Sequence, residues 1–223
     1  MRECQWYRPR VHQDEVDDAT RDLASPLVSV VAIAAVVAAY LLGTFPSALL
    51  AGRRRGVDPT QSGSGNPGTT NVLRTAGRQA AALTLVGDLG KGVVAAALGW
   101  AVGGHGLGVA CGVAAVVGHV APVTRGFRGG KGVATGAGML LVLYPLLVLV
   151  AALAFAMAFA VTRIISVGSL TAAVTVPVAA AIGGVPGREL AGLVVCGVLV
   201  VGRHADNIRR IARGQEPGAT LRR

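Results

Sequence analysis

The chain has 223 residues, 52% hydrophobic and only 14% charged, with a mean hydropathy of +0.59; soluble domains carry about 25% charged residues, so a water-soluble globule is excluded. A net charge of +10 invites a nucleic-acid reading, but aromatic residues make up 4% and no nucleic-acid-binding module is visible. The charge fits instead the Lys and Arg excess that marks cytoplasmic loops of membrane proteins.

Residues 1–26 mix acids, arginines and prolines ahead of the first apolar run. They read as a disordered or non-family N-terminal extension, and no cleavable signal peptide is evident. His12 and Asp17 form an H-x4-D pattern associated with another acyltransferase superfamily; in a polar tail it reads as coincidence. Residues 27–52, 92–124, 132–162 and 164–187 contain no Asp, Glu, Lys or Arg. About 20 apolar residues cross a bilayer core as a helix. Barrel strands would alternate in short segments, and these runs do not. An all-α integral membrane protein, surrounded by membrane lipid, is therefore expected.

The first span, about 27–52, ends at Arg53-Arg54-Arg55. These arginines, with Arg74 and Arg78, form the first of three basic clusters. The second holds Arg125, Arg128 and Lys131, and the third Arg203, Arg209, Arg210 and Arg213. All three are placed on the cytoplasmic side. The loop after span one runs Ser62-Gly63-Ser64-Gly65-Asn66-Pro67-Gly68-Thr69-Thr70-Asn71 and enters a predicted helix through Arg74. Glycines let backbone N–H groups approach an anion, while hydroxyls and an arginine add directed donors. In isolation, an ordinary polar turn with an N-cap would read the same.

The stretch 79–124 must leave the cytoplasm and return, folding at Gly103-Gly104-His105-Gly106 to give spans two and three. Asp88 and Lys91, three apart inside span two, form an intramembrane ionisable pair suited to a functional or a buried structural role. Next come Gly118-His119 and Pro122, then Phe127-Arg128-Gly129-Gly130-Lys131-Gly132-Val133-Ala134-Thr135. A Gly-Gly-Lys-Gly turn entering a helix presents backbone donors, a positive helix end and an ammonium together. It is not a Walker A loop: Arg125 stands in place of its first glycine and Gly132 in place of the Ser or Thr after lysine. Nucleotide hydrolysis is not indicated.

The stretch 132–202 begins and ends on the cytoplasmic side, so it needs an even number of spans. Residues 133–162 would make about 45 Å of helix, and Tyr144-Pro145 offers a break into two short ones. Residues 164–184 and 190–203 complete seven spans, with the N-terminus outside and the C-terminus inside. The third polar element joins Ser166 through Leu170 to His204, Asn207, Arg210 and Gly214-Gln215-Glu216. On a helix continuing from span seven, His204 and Asn207 share a face. Cys4, Cys111 and Cys196 show neither paired nor metal spacing and read as inert small hydrophobes.

These stretches together resemble the bacterial acyl-phosphate:glycerol-3-phosphate acyltransferase family. The matching residues are Gly63 through Asn66, Asn71 through Arg74, Asp88 with Lys91-Gly92, Gly118 through Thr135, Ser166 through Leu170, and His204, Asn207 and Arg210 through Glu216. The resemblance covers about residues 36–217, and it is the fixed order of five motifs on one membrane side that makes it specific. It implies a seven-span domain over 27–216 in the bacterial cell membrane, its site on the cytoplasmic face, followed by a basic tail at 217–223. It implies acyl transfer from acyl-phosphate to the 1-hydroxyl of sn-glycerol 3-phosphate, giving lysophosphatidic acid and phosphate, an early step of phospholipid synthesis. By the same resemblance Ser64, Lys131, His204 and Asn207 are catalytic. Asn66, Asn71, Arg74, Gly129, Gly130, Gly132 and Ser169 bind substrate, Glu216 is structural, and neither metal nor other cofactor is required. Thr69 stands where alanine is usual in the family, Pro67 where an aliphatic residue is common, and the N-terminal extension has no counterpart.

The residues suit that chemistry. An acyl-phosphate is already an activated anhydride, and no Ser-His-Asp or Cys-His signature is present. What remains is to position two anions and to stabilise developing charge. The hydroxyl proton goes to His204 or to the substrate's own phosphate; a histidine among arginines leans toward donating to phosphate, which favours the latter. A transporter of organic phosphates would share the basic site, but no inverted repeat is found and the polar motifs gather on one face. A transferase using acyl-CoA or another phosphorylated acceptor would suit the same fold. A purely structural scaffold would not need the Gly-Gly-Lys-Gly loop.

Overall fold

The computed structural model describes residues 28–218. The N-terminal extension with Cys4 and the His12–Asp17 pattern, and residues 219–223 of the basic tail, lie outside the described residues. Every regular element among the described residues is helical: α1 (28–43), α2 (Ser47–Arg53), α3 (Thr69–Val120), a 3₁₀ turn at Val123–Arg125, α4 (Val133–Leu143), α5 (Pro145–Thr162), α6 (Ile165–Ile182), α7 (Gly187–Arg203) and α8 (Ala205–Ala212). Among the described residues four stretches are long and apolar enough to cross a membrane, or five if the bent pair α7–α8 counts as one span. Large apolar side chains point outward, with Val161 85% and Ile182 84% exposed, as a lipid-facing surface requires.

Lipid gives helices no hydrophobic reason to associate, so close contact relies on small residues. A Cβ on Gly92 of α3 would strike the Thr135 carbonyl oxygen of α4, and one on Gly138 of α4 would strike the Leu89 carbonyl of α3. Gly43 against Ala115 and Gly118 against Tyr40 do the same where α1 crosses α3. Two backbones therefore meet almost directly on either side of α3.

The helix breaks decide where polar groups go. The first span expected over 27–52 is one apolar stretch, Val28–Arg53, whose helix is broken at residues 44–46. Pro46 has no N–H to give and disfavours helix in the residue before it, and the Phe45 carbonyl accepts from the Ser47 N–H at 3.1 Å and from Lys91 Nζ at 3.3 Å. The long α3 folds back on itself at Gly103 and Gly104, the latter at φ 77°, a conformation that favours glycine. Its two arms pack antiparallel, with Gly99 against Leu107 and Gly108 against Ala96. Tyr144 separates α4 from α5 at the expected proline. One expectation fails: α7 does not continue through His204, because the helix bends by 55° there before α8 begins.

The bundle has two chemically distinct ends. At one, His105 Nδ1 lies 2.9 Å from Glu189 Oε2 and its Nε2 3.0 Å from the Leu143 carbonyl, while the Tyr144 hydroxyl donates to Glu189. At the other, Tyr40 OH donates to the Ala121 carbonyl, Arg74 to the Pro217 carbonyl and Arg203 to the loop before α4. Inside the bundle Asp88 Oδ1 lies 2.9 Å from Lys91 Nζ and 3.4 Å from His119 Nδ1, all three buried. The pair read from sequence is a triad.

Gly138→Leu should prevent the α3–α4 approach and, at about 1–3 kcal/mol for overpacking, lower the melting temperature in detergent. Gly90→Ala, whose added methyl meets nothing within 4 Å, should not lower it. Equal melting of the two variants would contradict the packing account.

Candidate functional site

Asn71 opens the first motif by holding its loop. Its Nδ2 donates to the carbonyls of Pro59 (2.7 Å) and Ser62 (2.9 Å), and its Oδ1 accepts from the Ser64 N–H at 2.9 Å. The amide expected to bind substrate is thus fully engaged within the protein, and it fixes the Ser64 backbone. Gly63, at φ 63°, leaves no room for a Cβ beside Asn71. The Ser64 hydroxyl and the Asn66 amide take no side-chain partner among the described residues, and both line the cavities described below. Arg74 reaches the same region from the first turns of α3.

The second motif lies between the 3₁₀ turn and α4. Gly132, at φ 86°, caps α4, and a Cβ on Gly129 or Gly130 would collide with His119. These two glycines are required by close packing on His119, while their carbonyls accept from Arg203 Nη2 (2.7 Å) and Nε (3.2 Å). Lys131 Nζ donates to Asn207 Oδ1 at 2.6 Å.

The third motif closes the site. Asn207 Nδ2 donates to Glu216 Oε1 at 2.5 Å, Ser166 Oγ donates to the same oxygen at 2.8 Å, and Arg210 Nε donates to Oε2 at 2.6 Å. Burial works to raise the Glu216 pKa, but these hydrogen bonds and the Arg210 charge prevail and hold it below the usual carboxylate value. Burial pushes the Lys131 ammonium down to about 8; Glu216 opposes this, while the charges of Arg210, Arg74 and Arg203 add to it. His204 is 2% exposed. Burial and then the Lys131 charge push its imidazole down to about 4, against the Val200 carbonyl and Glu216. Its Nδ1 lies 2.7 Å from the Val200 carbonyl. A carbonyl only accepts, so the ring proton sits on Nδ1 and Nε2 keeps its lone pair. Ser169 Oγ donates back to the Ile165 carbonyl at 3.1 Å while lining the cavity wall.

Two cavities meet here. One, of about 490 Å³, has apolar walls that include Leu85, Leu89, Phe155 and Phe159. The other, of about 740 Å³, is polar and bordered by Arg125, Arg128, Gly129 and Arg203. Ser64, Asn66, Lys131, Asn207 and Arg210 line both. The three motifs, separated by helices in sequence, therefore share one junction. Of the catalytic and substrate-binding residues expected from the sequence, Gly130 alone lines neither cavity, packing instead on the His119 ring. Sequence reading missed the grip of Arg203 on the loop, for which adjacency to His204 was the available signal. It also missed the Phe155–Phe159 wall, whose only trace is two aromatics one helical turn apart.

A family model described as glycerol-3-phosphate acyltransferase matches residues 33–214. The glycerol-3-phosphate acyltransferase of Pseudomonas aeruginosa is 48% identical over 187 residues, covering 81% of this chain and 95% of that protein. The protein of the same name from Symbiobacterium thermophilum is 44% identical over 184 residues, covering 82% and 92%. The crystal structure of PlsY (YgiH), an integral membrane glycerol 3-phosphate acyltransferase, in its glycerol 3-phosphate form, matches with a TM-score of 0.80 at 34% identity, covering 84% of this chain and 94% of that one. Its lysophosphatidic acid form gives 0.78. Since the family match begins within α1 and ends just past α8, taking in all three loops that meet at Lys131, the chain belongs to the glycerol-3-phosphate acyltransferase family.

Proposed function

We propose that the protein transfers a fatty acyl group from acyl-phosphate to the 1-hydroxyl of sn-glycerol 3-phosphate, giving lysophosphatidic acid and inorganic phosphate for membrane phospholipid synthesis. The observation that carries this reading is the junction of an apolar and a basic cavity at Ser64, Lys131 and Asn207. An acyl-phosphate has an alkyl chain on one side of its reactive carbonyl and a phosphoryl group on the other, which suits that junction. Glycerol 3-phosphate has no apolar part and suits the polar cavity. The lining of the polar cavity includes no aromatic side chain against which an adenine would stack, which favours acyl-phosphate over acyl-CoA.

The same reading has seven spans: α1 with α2, the two arms of α3, and α4 through α7. The N-terminus lies outside the bacterial cell membrane and the site on its cytoplasmic face. Supporting this, every described arginine except Arg188 flanks the end that carries the site, whereas His105, Arg188 and Glu189 occupy the other.

In the reaction, the 1-hydroxyl oxygen attacks the acyl carbonyl carbon. The bond from that carbon to the phosphate oxygen breaks, and the electron pair leaves with phosphate. Ser64, Asn66 and Arg74 orient phosphoryl oxygens from the first loop, while Lys131 and the amides preceding α4 offset charge on the oxyanion and the leaving group. The hydroxyl proton passes to His204. Its Nδ1–H is committed to the Val200 carbonyl, which leaves the Nε2 lone pair to accept; burial and the Lys131 charge make the ring a weak base, so the substrate phosphate competes for the same proton.

Detergent-purified protein given acyl-phosphate and glycerol 3-phosphate should release inorganic phosphate with lysophosphatidic acid. Product from acyl-CoA but not from acyl-phosphate would overturn the donor, and liposome uptake of glycerol 3-phosphate without product would support the transporter. His204→Gln should lower kcat at saturating substrate by about 10²–10⁴-fold with little change in KM; unaltered turnover with a raised KM would return the proton to the substrate phosphate. Raising the pH through about 8 removes the Lys131 charge, so kcat/KM should fall on the alkaline side with a midpoint near there. Lys131→Arg, which stays protonated, should move that limb upward, and a limb that does not move would assign it to another group.

A further inference from the structure

The loop from Gly126 to Gly132 has no helix or strand to orient its peptide planes, so its neighbours must do so. His119 does it from below: the Gly130 N–H donates to the His119 carbonyl at 3.0 Å, and the imidazole occupies the space of a Gly130 side chain. Arg203, the last residue of α7, does it from the other side. Its Nη2 and Nε donate to the successive carbonyls of Gly129 and Gly130, so one edge of the planar guanidinium spans two peptide units. In a trans peptide the C=O and the following N–H point in opposite directions. With the Gly130 carbonyl turned toward Arg203, the Lys131 N–H is turned away from it. The N–H groups of Lys131 and Gly132 donate to no protein group among the described residues, and both residues line the cavity that carries the Ser64–Lys131–Asn207 junction.

We propose that Arg203 is a positioning residue: by gripping the Gly129 and Gly130 carbonyls it keeps the amides of Lys131 and Gly132, and the ammonium between them, aimed at the phosphoryl oxygens of the substrates. This inference rests on the acyltransferase reading. Arg203 is also the residue before His204, so the grip ties the loop to the helix bend that presents the base. A lysine supplies the same charge from a single point and lacks the fork that spans two carbonyls. Charge and fork are therefore separable by substitution.

The test uses full-length protein with Arg203→Lys and Arg203→Gln, measuring the melting temperature, and kcat and KM for both substrates. Both variants should melt with the wild type yet lose at least about tenfold in kcat at saturation, as expected when anchoring groups are misplaced. Lysine should rescue little more than glutamine does. Wild-type turnover in either variant, or full rescue by lysine alone, overturns the proposal in favour of no role or of simple charge. If Arg203→Gln does not fold, Arg203→Lys decides by the same criterion. Should the wild type itself release no phosphate from acyl-phosphate, the acyltransferase reading fails separately, and the grip is then judged by inorganic phosphate as probe. Phosphate should raise the melting temperature of the wild type and not of Arg203→Lys; equal stabilisation of both, or of neither, overturns it.

Discussion

Lys131 carries a cation at the mouth of an apolar bundle, and the arrangement around the site follows from how that cation is held. A buried ammonium is costly unless it is hydrogen-bonded and its charge is balanced. Here the balance is indirect. Lys131 donates to the Asn207 carbonyl oxygen, Asn207 donates to Glu216, and Glu216 also takes bonds from Ser166 and Arg210. With an amide between ammonium and carboxylate, the negative charge steadies the site without covering Lys131. A direct Lys–Glu pair would compete with any phosphoryl group for the same ammonium. The chain of bonds also draws α6, α8 and the segment after α8 around the loop before α4, so the third motif is folded by the charge it serves.

The breaks in the helices supply the acceptors. Each interruption of a membrane helix releases a carbonyl that has no water to bond, and in this protein several of them meet a cationic or histidine side chain. The Phe45 carbonyl takes Lys91 and the Leu143 carbonyl lies against His105, while outside the helices the carbonyls of Gly129 and Gly130 take Arg203. At the α7–α8 bend the His204 N–H bonds to Val201, one residue short of the α-helical partner. That leaves the Val200 carbonyl for the His204 ring. The bend and the tautomer thus have one cause.

What is legible in the sequence divides along the same physical line. The fold-back at Gly103-Gly104, the break at Tyr144-Pro145 and the helix start after Gly132 each depend on residues adjacent to the event, and sequence and structure agree on all three. Pro46 is equally local but sits within an apolar, charge-free run, where hydropathy averages it into span one. The bend at His204 follows Gly202 and carries no proline; the bond of the His204 ring to the Val200 carbonyl is not revealed by spacing alone. Asn71 looks like a ligand group because amides in glycine-rich loops often are, and only the positions of Pro59 and Ser62 show that its bonds are spent within the loop. Arg203 is legible only as charge, because its fork becomes visible when residues far apart in the chain are brought together.

The meeting of two unlike cavities follows from placing such a loop at a membrane surface. The apolar cavity is walled by α3 and α5 residues that would otherwise face lipid, Leu85, Leu89, Phe155 and Phe159. The polar one is walled by residues that a membrane helix cannot carry unpaired. A site wholly within the bundle would leave the arginines unsolvated, and one wholly in water would give an alkyl chain no walls. At the start of α4, Lys131 is one of five residues that border both, with Ser64, Asn66, Asn207 and Arg210. In the proposed reaction that is where the bond between the fatty chain and its phosphate must lie, so the position of the chemistry is set by the depth at which α4 starts.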